Sequence, residues 1–304
     1  MPATLQAFIA IFLLGALLRS SGLLRKLHAE RLASVVFSIS LPATILVSLD
    51  RMVFAPTAWK LPLAACLVTL SMLLCSWPVT RLLHLSRATR GGFLLGTGCI
   101  NSVYFAYPVV LATLGDKGLA QAILFDLGQT TLTLTVIYAL AVWHSAKSAT
   151  TRSAMLRFVS SPPLWALCLS LLLTLFGLHL PGWLRETLIP IHLTTTPLAS
   201  LVLGLSISFS AVRRTWPLAL LGVGMRMLGG LLLGFAVAYG LDLAGMERAI
   251  VILIAAMPSA VTAVIFATDT GLDEDLVTSI VALSICVGVA LLPWLPQLVF
   301  LLAG

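Results

Sequence analysis

Asn101, Tyr104, Tyr107 and Pro108 stand within one apolar stretch of the chain, and Pro258 and Thr262 within another about 150 residues later. An amide, two phenols and a hydroxyl in such surroundings bind a ligand more readily than they break a bond. A proline inside a helix removes one backbone donor and clashes with the carbonyl a turn earlier. Each stretch is therefore predicted to break at its proline and to leave unpaired peptide groups, which survive at membrane depth only around a polar cavity. Where two broken helices cross antiparallel, the N-terminal ends of their second halves, beginning near Pro108 and Pro258, face each other. Each end offers N–H groups and about half a positive charge, a natural place for an anion. Asn101 and Thr262 add directional hydrogen bonds, and Tyr104 and Tyr107 add an apolar face with a hydroxyl. The bland alternative for Asn101 and Thr262 is that they satisfy backbone groups freed by the breaks.

Two ionisable residues lie deep in apolar stretches, where each costs at least about 2.5 kcal/mol and is expected to face a cavity or a partner. They are Asp126, with Gln129 and Thr130 one turn along the same helix face, and Arg226. A carboxyl in hydrocarbon-like surroundings tends to be neutral, and a nearby cation favours its ionisation. Asp126 could thus exchange a coupling proton, or hold a static contact to Arg226 or to backbone. His192 precedes Pro197 and reads as a polar filler. The five cysteines, Cys66, Cys75, Cys99, Cys168 and Cys286, fall in apolar stretches without CxxC spacing and read as buried hydrophobes. No GxSxG, Walker or HExxH sequence occurs, so neither an enzyme, nor a metal, nor a cofactor is expected.

The elements that position these residues follow from composition. With 60% hydrophobic and 10% charged residues in 304, the chain cannot cover a soluble globule with polar surface. Ten runs are long and apolar enough to cross a bilayer as helices: 3–18, 32–49, 61–83, 92–114, 118–143, 163–179, 186–210, 216–240, 248–268 and 276–301. The net charge of +7 is spread over short loops, which argues for topology and against nucleic acid. Of the 18 Lys and Arg residues, twelve fall in one set of alternate loops (Arg19, Arg25, Lys26, Arg31, Arg81, Arg87, Arg90, Lys147, Arg152, Arg157, Arg213, Arg214). Arg51, Lys60, Lys117, Arg185 and Arg248 occupy the other set. The positive-inside rule places the larger set in the cytoplasm and both termini outside. The first run has no basic residue before it and reads as a retained helix, not a cleaved signal.

The chain divides into a first five-helix repeat (1–143), a cytoplasmic linker (144–162) and a second, inverted repeat (163–304). An odd number of spans per half turns the second half over. Leu41-Pro42 is answered by Thr196-Pro197, and Pro108 by Pro258, as expected of a duplicated unit whose fourth and ninth spans are broken. Gly92-x-x-x-Gly96 and Gly230-x-x-x-Gly234 read as close-packing sites.

At these residues the chain resembles the auxin efflux carrier family, which includes bacterial malonate-type carriers. The fourth-span pattern Gly-Asn-x-Gly-Tyr-x-Gly-x-Pro is matched by Asn101, Tyr104 and Pro108, and the ninth-span pattern Met-Pro-x-Ala-x-Asn by Met257, Pro258 and Ala260. Leu41-Pro42, Pro197-Leu-Ala with Gly204, and Arg226 also match, so the resemblance covers nearly the whole chain. Val103 and Ala106 replace two glycines and Thr262 stands for the usual Asn, which predicts a narrower pocket. The resemblance implies the fold of the sodium/proton antiporters and bile-acid/sodium symporters. Spans 1, 2, 6 and 7 would form a scaffold and spans 3–5 and 8–10 a moving part. It also implies a homodimer in the cell membrane that transports a small organic anion. A sodium-coupled symporter and a non-transporting ligand sensor on the same fold are the alternatives.

Overall fold

The computed structural model describes residues 3–24, 26–50, 52, 56–145, 159–207, 211–294, 297–298 and 301. Their helices, in chain order, are α1 (Ala3–Ser20), α2 (Lys26–Val35), α3 (Leu41–Leu49), α4 (Lys60–Leu82), α5 (Arg87–Gly98), α6 (Tyr107–Leu132) and α7 (Tyr138–His144). After the linker come α8 (Pro162–Leu175), α9 (Gly182–Ser206), α10 (Val212–Gly224), α11 (Gly230–Gly240), α12 (Gly245–Ala255), α13 (Val261–Thr270) and α14 (Glu274–Leu291). Among the described residues, seven helical runs are long and apolar enough to cross a membrane: Ala3–Ser20, Leu27–Leu49, Lys60–Leu82, Ser102–His144, Gly182–Ser206, Val212–Gly240 and Glu274–Trp294. Two further apolar helices, α8 and α13, are shorter. Among the described residues the regular structure is all helical, that of a multi-pass membrane protein. Most of the linker, including Lys147, Arg152 and Arg157, lies outside the described residues, as do Arg25 and Arg51.

Four π-helical turns connect or continue these helices: Val36–Ser40, Ser102–Ala106, Thr133–Ile137 and Met225–Gly229. Two of them correct the reading of the prolines. Pro108 was expected to break the fourth span, but the break lies at Cys99–Asn101 and Pro108 is the second residue of α6. Pro42 is likewise the second residue of α3, after the turn Val36–Ser40. A π turn shifts backbone hydrogen bonding by one residue, and this accommodates a ring and a missing donor without ending the helix. Pro197 lies inside the unbroken α9. Pro258 does occupy a break, the segment between α12 and α13. The Gly115-Asp116-Lys117 loop expected between two spans is reduced to one residue, Gly115, whose φ of 65° and ψ of −166° interrupt an otherwise continuous run. That region is open to glycine because it lacks a Cβ.

The chain forms two compact units. The first comprises Met1–Ala58, Val103–Ile123 and Leu156–Ser206. In it α1 lies on α9 with Gly15 against Gly204; a Cβ on Gly204 would come 2.2 Å from the Phe12 carbonyl oxygen. A polar seam joins α3 to α9, with Thr44 Oγ1 and Thr195 Oγ1 2.7 Å apart and Thr195 donating to the Ser40 carbonyl at 3.2 Å. His192 Nδ1 lies 3.2 Å from Thr44 Oγ1, and its Nε2 3.9 Å from Asp116 Oδ1. The filler is thus hydrogen-bonded to Thr44 through one ring nitrogen. Beyond α3, the Asp50 carboxylate accepts from the Leu180 N–H at 3.0 Å and pairs with Arg185 at 3.2 Å.

The second unit comprises Trp59–Ser102, Leu124–Met155 and Ile207–Gly304. Its apolar core includes Phe93, Ala219, Leu276 and Ile280 from α5, α10 and α14. Both small-residue pairs pack as their spacing predicts: Gly92 and Gly96 against Asp273, Val277 and Ile280, and Gly230 and Gly234 against Ala255 and Ile252. Asp273 caps α14 by accepting from the Leu276 N–H at 3.1 Å and also accepts from Thr89 Oγ1 at 3.0 Å. Trp59, Trp143, Trp216 and Trp294 of this unit are exposed at or near helix ends, where membrane proteins favour tryptophan.

Candidate functional site

The second unit contains the interruptions of the fourth and ninth spans, and they are hydrogen-bonded to each other. Cys99, the cap residue of α5, turns extended at φ −85° and ψ 123°. Ile100 then pairs antiparallel with Ser259 in an isolated bridge. The Asn101 N–H donates to the Pro258 carbonyl at 2.9 Å, and the Ala260 N–H donates to the Cys99 carbonyl at 3.2 Å. The Ser259 N–H donates to Ser284 Oγ on α14 at 3.0 Å. The peptide groups expected to be unpaired at the breaks are therefore largely satisfied across the crossing, as their cost in a water-free interior demands.

Side chains complete this accounting. Arg226 is fully buried, at 0% exposure, in the π turn between α10 and α11. Its Nη1 donates to the Thr97 carbonyl of α5 at 2.8 Å and its Nη2 to the Ala255 carbonyl of α12 at 2.5 Å. Gln129 Nε2 donates to the Gly98 carbonyl at 3.3 Å and to Thr133 Oγ1 at 3.1 Å, while Thr69 Oγ1 donates to Gln129 Oε1. The C-terminal ends of both first half-helices, which carry partial negative charge, are thus capped by one cation and one amide. Asn101, 2% exposed, donates from Nδ2 to the Ser259 carbonyl at 3.4 Å. Among the described residues, the buried hydroxyls of Ser102 and Ser259 have no hydrogen-bond partner. The N-terminus of α13, just after Ala260, has no side-chain cap.

Of the residues singled out in the sequence, Asn101, Pro258, Gln129 and Arg226 meet in this cluster. Thr262 is the second residue of α13 and is exposed. Asp126 is half-buried and accepts from Thr130 Oγ1 at 3.3 Å. Tyr104, Tyr107 and Pro108 belong to the first unit, where Tyr104 Oη donates to the Ala33 carbonyl at 3.4 Å and Tyr107 and Pro108 are buried. Thr69, Ser259 and Ser284 were missed. A serine or threonine among small apolar residues carries no periodic signal, and the carbonyls of Thr97, Gly98 and Ala255 carry none at all.

A family model described as "Membrane transport protein" matches residues 3–295. The chain is 30% identical over 295 residues to an uncharacterized transporter of Methanothermobacter thermautotrophicus, covering 95% of each chain. It is 26% identical over 279 residues to an uncharacterized transporter of Methanocaldococcus jannaschii, covering 89% of this chain and 90% of that one. These relatives match along the stretch that holds both interruptions and Arg226, and the chain belongs to the membrane transport protein family, that of the auxin efflux carriers.

Proposed function

We propose that the protein is a secondary active transporter of a small organic anion, a carboxylate such as malonate or an auxin-like acid. The observation that carries this reading is the crossing: two interrupted helices joined through their backbones, with their C-terminal ends capped by buried Arg226 and Gln129. With the negative ends neutralised, the field left at the interruptions is that of the N-terminal ends and is positive, which favours a carboxylate. Ser102, Ser259 and Asn101 supply hydroxyl and amide hydrogen bonds to it, and Thr262 stands exposed at the uncapped start of α13.

Movement follows an elevator form of alternating access, in which the unit holding the crossing carries the substrate. The support is its composition: spans 3, 8, 9 and 10, the first half of span 4 and most of span 5 fall in one unit, and spans 1, 2, 6 and 7 in the other. Those sets follow the moving part and the scaffold that the family resemblance implies, except that Val103–Ile123 falls with the scaffold set. The ten spans form two inverted repeats with both termini outside, in the cell membrane. Asp126, bonded to Thr130 and three residues from the capping Gln129, takes up and releases the coupling proton.

Uptake of labelled malonate into proteoliposomes tests the reading. Accumulation driven by an inward acid gradient is expected from the native protein. Asp126→Asn is expected to lose that accumulation and to keep malonate binding. Binding without any uptake or exchange by the native protein sinks the transporter reading, and unchanged accumulation by Asp126→Asn sinks the proton role.

A further inference from the structure

We propose that Arg226 is a positioning residue that serves the crossing as a resident cation. Its guanidinium ties the negative ends of α5 and α12 together where a dissolved cation would otherwise be required, and so fixes the N-terminal ends that receive the substrate. The inference rests on the reading of the crossing as the substrate site.

At the end of α12, Ile252 and Leu253 accept from the Ala256 N–H, Ile254 accepts from Met257, and Ala255 accepts from Arg226. At the end of α5, Leu95 accepts from Cys99, Thr97 from Arg226 and Gly98 from Gln129. Two helix C-termini amount to about one negative charge, which a single guanidinium offsets. A planar fork can also reach two helices at a fixed spacing, whereas an ammonium acts as a point. Gly230, one turn further on, leaves the necessary room: a Cβ there would lie 2.1 Å from the Ala255 carbonyl oxygen and 2.6 Å from Arg226 Nη2. In carriers with broken helices, exposed carbonyls and C-terminal ends of this kind coordinate sodium ions or protons. Here Arg226 and Gln129 have filled those positions. Truncating Arg226 would leave the Thr97 and Ala255 carbonyls without their donor around a space of guanidinium size.

The test is Arg226→Ala, with Arg226→Lys as a second variant that keeps the charge but reaches one carbonyl. In detergent without substrate, the melting temperature of Arg226→Ala should fall. Millimolar guanidinium should raise it, N-methylglucamine should not, and the native protein should respond to neither. For labelled malonate in proteoliposomes, KM should rise about tenfold on loss of a charge-assisted hydrogen bond, and guanidinium should bring it back down. Arg226→Lys should show an intermediate KM with Vmax largely kept. The proposal is overturned if Arg226→Ala melts and transports like the native protein, or answers guanidinium no more than the native protein does. Should Arg226→Ala fail to accumulate in membranes, Arg226→Lys decides: a raised KM or lowered melting temperature supports the role, and native values for both refute it. Guanidinium-specific recovery of melting without malonate uptake by any form would uphold Arg226 and defeat the substrate reading alone.

Discussion

Asn101 and Thr262 were paired as ligand-binding groups by their chemistry, yet their surroundings separate them. The buried Asn101 amide already serves the Ser259 carbonyl, so Asn101→Ala removes a structural hydrogen bond, worth about 0.5–1.5 kcal/mol net. It should lower the melting temperature of the purified protein as well as weaken malonate binding. Thr262 is exposed on α13, and Thr262→Ala should leave stability within about 0.5 kcal/mol, as surface changes do. A separate rise in the malonate constant for Thr262→Ala would place its hydroxyl on the substrate; an unchanged constant would remove it from the site. Asn101 was legible because an amide in an apolar stretch is conspicuous. The carbonyls of Thr97, Gly98 and Ala255, which define the crossing equally, were not, because every residue has one.

Prolines tell where a helix is constrained, not where it ends. Pro258 lies in its break, Pro108 is carried past a π turn, and Pro197 is absorbed in α9. The tertiary event that decides is the backbone pairing of residues 99–101 with 258–260, a contact between segments far apart in sequence and without a local signature. Glycine spacing was the more dependable element-level signal, since Gly92, Gly96, Gly230 and Gly234 all face a neighbouring helix. The pair Gly15 and Gly204 extends it to the first unit. Gly204→Ala would drive a methyl group to 2.2 Å from the Phe12 carbonyl oxygen, and overpacking of this kind costs about 1–3 kcal/mol. Gly224→Ala, with no atom within 4 Å of the added carbon, serves as its control and should be neutral or slightly stabilising through helix propensity. Equal melting temperatures for the two variants would mean that α1 and α9 do not pack as described.

At the scale of the whole molecule, composition was decisive for class and blind to the interleaving of the units: Val103–Ile123 belongs with the first unit although both flanking segments belong with the second. No hydropathy pattern reports that exchange, because apolar residues face apolar neighbours in either unit. The expectation for orientation rests on a different physics. Lys and Arg resist translocation, and twelve of them mark one set of loops against five in the other. Ser21, after α1, belongs to the richer set, and Gly182, at the start of α9, to the poorer one. Ser21 is exposed, and no atom lies within 4 Å of a Cβ on Gly182. In a background with all five native cysteines replaced, Gly182→Cys should react with a membrane-impermeant maleimide on intact cells. Ser21→Cys should react only after the membrane is opened. The reverse pattern would put both termini in the cytoplasm and turn the crossing over with them. Labelling of both on intact cells would break the alternation of loops on which the inverted repeat depends.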